Sequence, residues 1–283
     1  MAPPKYGDFS KIVEDIFGDD YTSDQTLKVK SKAGGLGFTV ENTNKDSGVA
    51  GKVSLKYGHK SSGLSVDKLQ LKPNGDLALE ASMDKLFADG VKGYYKGGLL
   101  GKKKGESVAS LDLKGKAGVD YKDKMVCSRA EVDVPDLNAV SLSAVVGYED
   151  ILVGASTKYS FKDSGLADYN VALGYKQKDW FASLASEDKL SKFKAAAFWN
   201  PCPPANVGAM LTYKPEDGAS TLAVGTTYVC NPTTTVRVKA DSDGMIAAAF
   251  AQKCGKNMTL VGSTETKVQD LSSFKYGASV TLG

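Results

Sequence analysis

The chain has 283 residues, 24% charged and 42% hydrophobic. Its mean hydropathy of -0.24 excludes a bundle of apolar transmembrane helices, and it has no run of about 18 apolar residues that could span a bilayer as a helix. With 36 Lys and Arg against 33 Asp and Glu, a net charge of +3 is too small to mark a nucleic-acid binder.

One histidine, His59, leaves little room for imidazole acid–base or metal chemistry. Cys127, Cys202, Cys230 and Cys254 include no pair at metal-ligand spacing, so no metal centre is expected. They read as reduced thiols, or at most incidental bridges. Met1-Ala2-Pro3-Pro4 lacks the basic flank and apolar core of a secretory signal, so synthesis in the cytosol and post-translational entry into any membrane are expected.

Residues 6–17 read YGDFSKIVEDIF. Tyr6, Phe9, Ile12, Val13, Ile16 and Phe17 recur at three- and four-residue steps, which predicts one helix with Asp8, Lys11, Glu14 and Asp15 opposite. Gly18 suits its end. About three turns are marginal alone in water, so the apolar face needs a partner: a sheet, the wall of a pore or a membrane interface.

From about residue 25 the period changes to two. Leu27 and Val29 alternate with Lys28 and Lys30, and Val53, Leu55 and Tyr57 with Lys52, Ser54 and Lys56. The pattern persists through Ile151–Phe161 and Val236–Ala240 to the last run, where Phe274, Tyr276, Ala278, Val280 and Leu282 oppose Ser273, Lys275, Gly277, Ser279 and Thr281. Each run reads as an antiparallel strand with one apolar and one polar face. Pro73-Asn74-Gly75, Pro215-Glu216-Asp217-Gly218 and Asp243-Gly244 are hairpin turns, because Asn, Asp and Gly tolerate positive φ. Counting runs between such breaks gives about 19 strands, and roughly 11 residues per strand plus three per turn consumes about 260 residues. The expected division is an N-terminal segment, 1–24, and a barrel, 25–283.

A soluble sandwich or barrel hides its apolar rows, whereas a transmembrane barrel turns them to lipid. Strands of about ten residues exceed the soluble average. Small apolar-face residues (Ala81, Ala130, Ala155, Ala195, Ala197, Ala209, Ala240, Ala247, Ala249, Ala278) suit lipid contact. Aromatics near strand ends, such as Tyr148, Tyr175, Trp180 and Trp199, suit an interfacial girdle. The transmembrane barrel is the preferred reading. By the same parity Lys28, Lys30, Lys52, Lys56, Lys114, Lys116, Lys158, Lys162, Lys192, Lys194, Lys214, Arg237, Lys239 and Lys275 project into a lumen, against Glu41, Glu80, Asp84, Asp112, Glu131 and Asp133. Excess positive charge favours anions, but salt with a Debye length of about 8 Å screens a wide pore, so weak anion preference is expected. In Leu64–Leu71 the parity of Leu69 and Leu71 turns Asp67 to lipid; a bulge would turn it to water instead.

The opening Ala2-Pro3-Pro4-Lys5-Tyr6-Gly7-Asp8-Phe9, with the helix and alternating strands that follow, resembles the mitochondrial voltage-dependent anion channels, the eukaryotic porins. Gly147-Tyr148-Glu149-Asp150 and Gly174-Tyr175-Lys176 look like that family's mid-chain segments. Lys275-x-Gly277-x-x-Val280-x-Leu282 fits a sorting signal of mitochondrial outer-membrane barrels. The resemblance implies a 19-stranded transmembrane β-barrel with the helix inside the lumen. It also implies a voltage-gated, weakly anion-selective pore of the mitochondrial outer membrane that passes ADP, ATP, metabolite anions and small ions. Lys11 matches a basic position of the family helix, whereas Glu14 and Asp19 stand where the family carries basic residues. An acid like Asp67 is linked in the family to gating or partner contacts. Implied partners are membrane lipids, permeating nucleotides, hexokinase-like proteins, apoptotic regulators and further copies of the chain. Alternatives are the pore subunit of the outer-membrane protein translocase and a soluble β-rich binding protein. No nucleophile elbow or phosphate-binding loop is present, Gly101-Lys102-Lys103-Lys104-Gly105 having the wrong spacing, so neither an enzyme nor a cofactor is expected.

Overall fold

Strands with one greasy and one wet face must still pair every backbone N–H and C=O, and a sheet does so completely only when it closes on itself. The computed structural model describes residues 2–45, 48–59, 62–73, 75–99 and 113–283, and its sheet closes. The strands among them are β1 (Gln25–Ala33), β2 (Leu36–Lys45), β3 (Gly48–His59), β4 (Leu64–Leu71), β5 (Leu77–Asp84), β6 (Val91–Leu99) and β7 (Leu113–Lys122). They continue with β8 (Val126–Val134), β9 (Ala139–Tyr148), β10 (Ile151–Ser160), β11 (Gly165–Lys176), β12 (Trp180–Glu187) and β13 (Lys192–Cys202). The last are β14 (Ala205–Lys214), β15 (Ala219–Asn231), β16 (Thr234–Asp241), β17 (Met245–Cys254), β18 (Met258–Lys267) and β19 (Asp270–Leu282). Consecutive strands pair antiparallel, and β1 runs parallel to β19 with Leu27 beside Val280 and Val29 beside Leu282, so an odd number of strands makes a ring without edges. Asp112, Asn74 and the Gly101–Gly105 run lie outside the described residues.

The N-terminal segment identifies the inner face. Its apolar residues touch Val145, Leu152, Ala172, Phe181 and Ala196, so that parity points inward on β9 to β13. The neighbours of opposite parity are bare: Val153 is 52% exposed, Val171 56%, Leu173 55% and Leu184 53%. The greasy rows therefore face outward, the arrangement of a barrel solvated by lipid. Outward Thr226 donates its hydroxyl to the Asn206 carbonyl at 3.1 Å, which keeps a polar atom satisfied on the apolar side. Trp180 and Tyr175 pack with centroids 5.1 Å apart and planes tilted by 47° at a strand end, both tied to Gln177, as an interfacial girdle requires. No described helix is long and apolar enough to cross a membrane.

Three sequence expectations need correction. Ala247 and Ala249 face the lumen, not lipid: they pair with Lys239 and Arg237 and are each 3% exposed beneath the N-terminal segment, while Ile246 and Phe250 point out. The single helix expected over 6–17 is a 3₁₀ turn, Tyr6–Asp8, followed by α1 (Lys11–Gly18). Ser10 lies between them in a non-helical conformation and its hydroxyl is 3.1 Å from that of Ser183 on the wall. The break turns Phe9 inward to the wall together with Val13, Ile16 and Phe17 and leaves Ile12 40% exposed.

Asp67 is the third correction. Val66 pairs with Tyr57 and Ala81, and Leu69 with Leu55 and Leu79, so both apolar residues face out. Between them β4 carries an extra residue, and both Asp67 and Lys68 stand opposite Lys56 on the wet side. Asp67 accepts a 2.5 Å hydrogen bond from Ser82, which has lumenal parity. The bulge, not strict alternation, sets its direction, and Asp67 is not a lipid-facing acid.

Candidate functional site: the lumen and its docked segment

The segment lies on a bed made for it. Inward positions on five strands carry glycine: Gly147, Gly154, Gly174, Gly208 and Gly225. A Cβ at Gly208 would stand 2.8 Å from Ile16, and one at Gly174 2.9 Å from Phe9, so any larger residue would push the segment off. Glycine at these positions lets backbone and ring approach directly. Val13 is fully buried and Phe9 5% exposed, which makes this the driest packing in the lumen.

Charge fixes the segment's ends. Lys5 reaches Asp120 on β7 at 2.5 Å, where Arg129 of β8 makes a second, two-pronged contact at 2.6 and 3.0 Å. Glu14 accepts from Lys194 at 2.5 Å. Arg237 donates to Asp20 at 3.0 Å and to the Asp15 carbonyl at 3.1 Å, with Asp19 at 3.7 Å. Lys239 donates to the Phe17 carbonyl at 2.8 Å. The last two cations thus sit at the negative end of α1: Lys239 caps the Phe17 carbonyl, and Arg237 adds a second donor to the Asp15 carbonyl, which also accepts the backbone N–H of Asp19. Lys239 also lies 4.1 Å from the ring centre of Tyr21, whose hydroxyl is pushed up to about 12, first by burial, and so stays neutral. Beyond the helix Thr22 donates its backbone N–H to Ser263 at 2.9 Å and crosses over Gly277, where a side chain would strike the Thr22 carbonyl.

The cations expected to line the pore fall into three groups. Arg237 and Lys239 are engaged by the segment. Lys28 and Lys52 flank Glu41, the former at 2.9 Å. Lys30, Lys56, Lys114 and Lys116 are exposed in the lumen and Lys158 half-buried, and none makes an ion pair with another described residue. Lys11 points away from the wall, 3.7 Å from Asp8. Lys275 pairs in register with Glu265 inside, while Val280 and Leu282 face out. Asp120, Asp168, Glu187 and Glu265 also carry inward parity, and their omission from the parity count overstated the positive excess.

Sequence reasoning missed the glycine bed and the Lys5–Asp120–Arg129 cluster. The bed had a signal: glycine at polar-parity positions of strands that otherwise place Ser, Asn or Lys there. The cluster had none, because it joins residues 115 positions apart.

The chain matches the eukaryotic porin family model over residues 2–277. It is 28% identical to the voltage-dependent anion-selective channel of Drosophila melanogaster over 270 residues, covering 93% of this chain and 92% of the relative. It is 27% identical to the mitochondrial outer membrane protein porin of Neurospora crassa, over 100% of this chain and 99% of that one. A Xenopus laevis relative, the non-selective voltage-gated ion channel VDAC2, is 26% identical over 99% of both chains. An inside-out ring of strands with a helical segment docked in its bore, matched along nearly its whole length, makes this chain a member of the eukaryotic porin family.

Proposed function

We propose that the protein is a voltage-gated, weakly anion-preferring diffusion pore of the mitochondrial outer membrane, passing ADP, ATP, other metabolite anions and small ions, and not an enzyme. The single observation that carries this reading is the direction of the two faces: apolar rows exposed outward and charged rows inward around a closed ring. Relatives named as anion-selective channels and outer-membrane porins support it. With the segment docked on β9 to β18, ions pass along the opposite wall, where Lys30, Lys56, Lys114 and Lys116 stand exposed and the acids are mostly paired. Lys275, Gly277, Val280 and Leu282 serve as the insertion signal in the last strand. Lipid is the obligatory partner; docking of hexokinase-like or apoptotic proteins and self-association belong to the proposal through the family alone.

Reconstitution in a planar bilayer tests it. A KCl gradient should give a reversal potential of modest sign toward Cl⁻, ATP should permeate, and conductance should fall at higher voltage of either sign. A sealed bilayer, or a pore that only cationic precursor peptides block, would overturn the metabolite-channel reading.

A further inference from the structure

Among the described residues, most lumenal cations that make an ion pair are answered by acids on the wall. Lys28 and Lys52 share Glu41, Lys68 faces Glu80, and Arg129 holds Asp120. Arg237 and Lys239 are different. They stand two residues apart on one face of β16, a separation of about 7 Å. Their registered neighbours on β15 and β17 are Gly225, Thr227, Ala247 and Ala249, all uncharged. Among the described residues, every oxygen that meets these two cations within hydrogen-bonding or ion-pair distance, the Thr227 hydroxyl apart, comes from one short stretch of the N-terminal segment. These are the carboxylates of Asp19 and Asp20 and the carbonyls of Asp15 and Phe17. Two carboxylates and two helix-end carbonyls, closely spaced and collectively anionic, present to the wall what an oligophosphate presents: a row of negatively charged oxygens. The segment is anionic well beyond this stretch. Residues 1–24 hold Lys5 and Lys11 against Asp8, Glu14, Asp15, Asp19, Asp20 and Asp24.

We propose that Arg237 and Lys239 form a two-point oligophosphate site on the lumen wall, and that residues 15–20 of the N-terminal segment occupy it as a tethered competitor. The inference rests on the pore reading and adds a coupling to it: whatever holds the segment down lowers affinity for oligophosphates, and an oligophosphate at the wall favours release of the segment. Linkage makes the two effects equal in free energy. Arg237 supplies a planar fork that grips one phosphate by two N–H groups, and Lys239 supplies a point charge for the next. The site takes linear chains of at least two phosphates, the class that includes nucleoside di- and triphosphates.

The test uses the full-length chain in planar bilayers at fixed, moderate KCl, with inorganic tripolyphosphate titrated and reduction of the single-pore current read out. Asp19→Asn with Asp20→Asn removes the competitor's charge and leaves the wall intact. The concentration giving half-maximal block should fall roughly five- to ten-fold, the lower range of a typical coupling. Adding R237Q/K239Q should abolish the gain, whereas R237K/K239R, which keeps both charges, should retain most of it. Orthophosphate, too short to span both cations, should show no such gain. An unchanged half-block in D19N/D20N overturns the proposal. So does a gain that survives R237Q/K239Q, which is bulk charge alone, or an equal gain with orthophosphate. Should wild type carry no current at all, the pore reading fails first, and that outcome is distinct from each of these.

Discussion

The two halves of the lumen wall obey the same alternation and do opposite things with it. On β1 to β8 the inward row is long and charged, with Lys28, Lys52 and Lys68 beside Glu41 and Glu80, and much of it is open to water. On β9 to β18 the inward row is largely Gly, Ala and Ser, closed over by Phe9, Val13, Ile16 and Phe17, and Lys194, Arg237 and Lys239 are answered by the segment. Parity alone tells which side a residue faces. The side chain's size then decides whether that side is path or bed: glycine invites a neighbour to within van der Waals distance, while a lysine keeps it away.

The largest effect should follow from breaking the bed where it is driest. Val13 has no exposure, and Val13→Asp would bury a charge with no partner, at a cost on the order of 3–5 kcal/mol. The segment should leave the wall while the ring, which loses no strand pair, stays closed. Limited proteolysis from the N-terminus should become fast, and open-state current noise should rise. A V13D pore as quiet and as protease-resistant as wild type would mean that the dry contact does not hold the segment.

Much of the wall was legible in the sequence because period two survives nineteen strands: Leu27, Val53, Val153 and Val280 all face out as their neighbours predict. The errors lie where local geometry overrides the count. Ala247 and Ala249 sit in the run Ala247-Ala248-Ala249, which offers no polar residue to mark phase, so alternation there had no anchor. Asp67 fell to one inserted residue. The roles of Glu14, Asp19 and Asp20 were illegible, since an acid on a helix acquires meaning only from Lys194 and Arg237, about 180 and 220 positions away in the chain.

A smaller effect separates the two walls electrically. On the open wall Glu41, only 12% exposed, neutralises both Lys28 and Lys52. Glu41→Gln should free both and move the reversal potential in a KCl gradient further toward Cl⁻, without disturbing the docked segment. The shift should fade near 1 M salt, where the Debye length is about 3 Å. A change in protease resistance of the N-terminus would show instead that the two walls are coupled.

The smallest effect concerns Asp67, and its sign matters more than its size. If the acid faced lipid, Asp67→Leu would remove a desolvated carboxylate from the bilayer and stabilise the barrel. In the bulged geometry the same change strips Ser82, itself 3% exposed, of its hydrogen-bond partner and places a leucine beside Lys56 and Lys68 in the wet lumen. D67L should then be destabilising by about 1 kcal/mol in urea unfolding from lipid. Chemical labelling gives a second reading: a water-soluble carbodiimide entering through the pore should modify Asp67, and a lipid-soluble one should show no preference for it. A stabilised D67L barrel, or selective labelling from the hydrocarbon side, would return Asp67 to the lipid face and extend the alternation of β4 unbroken through Asp67.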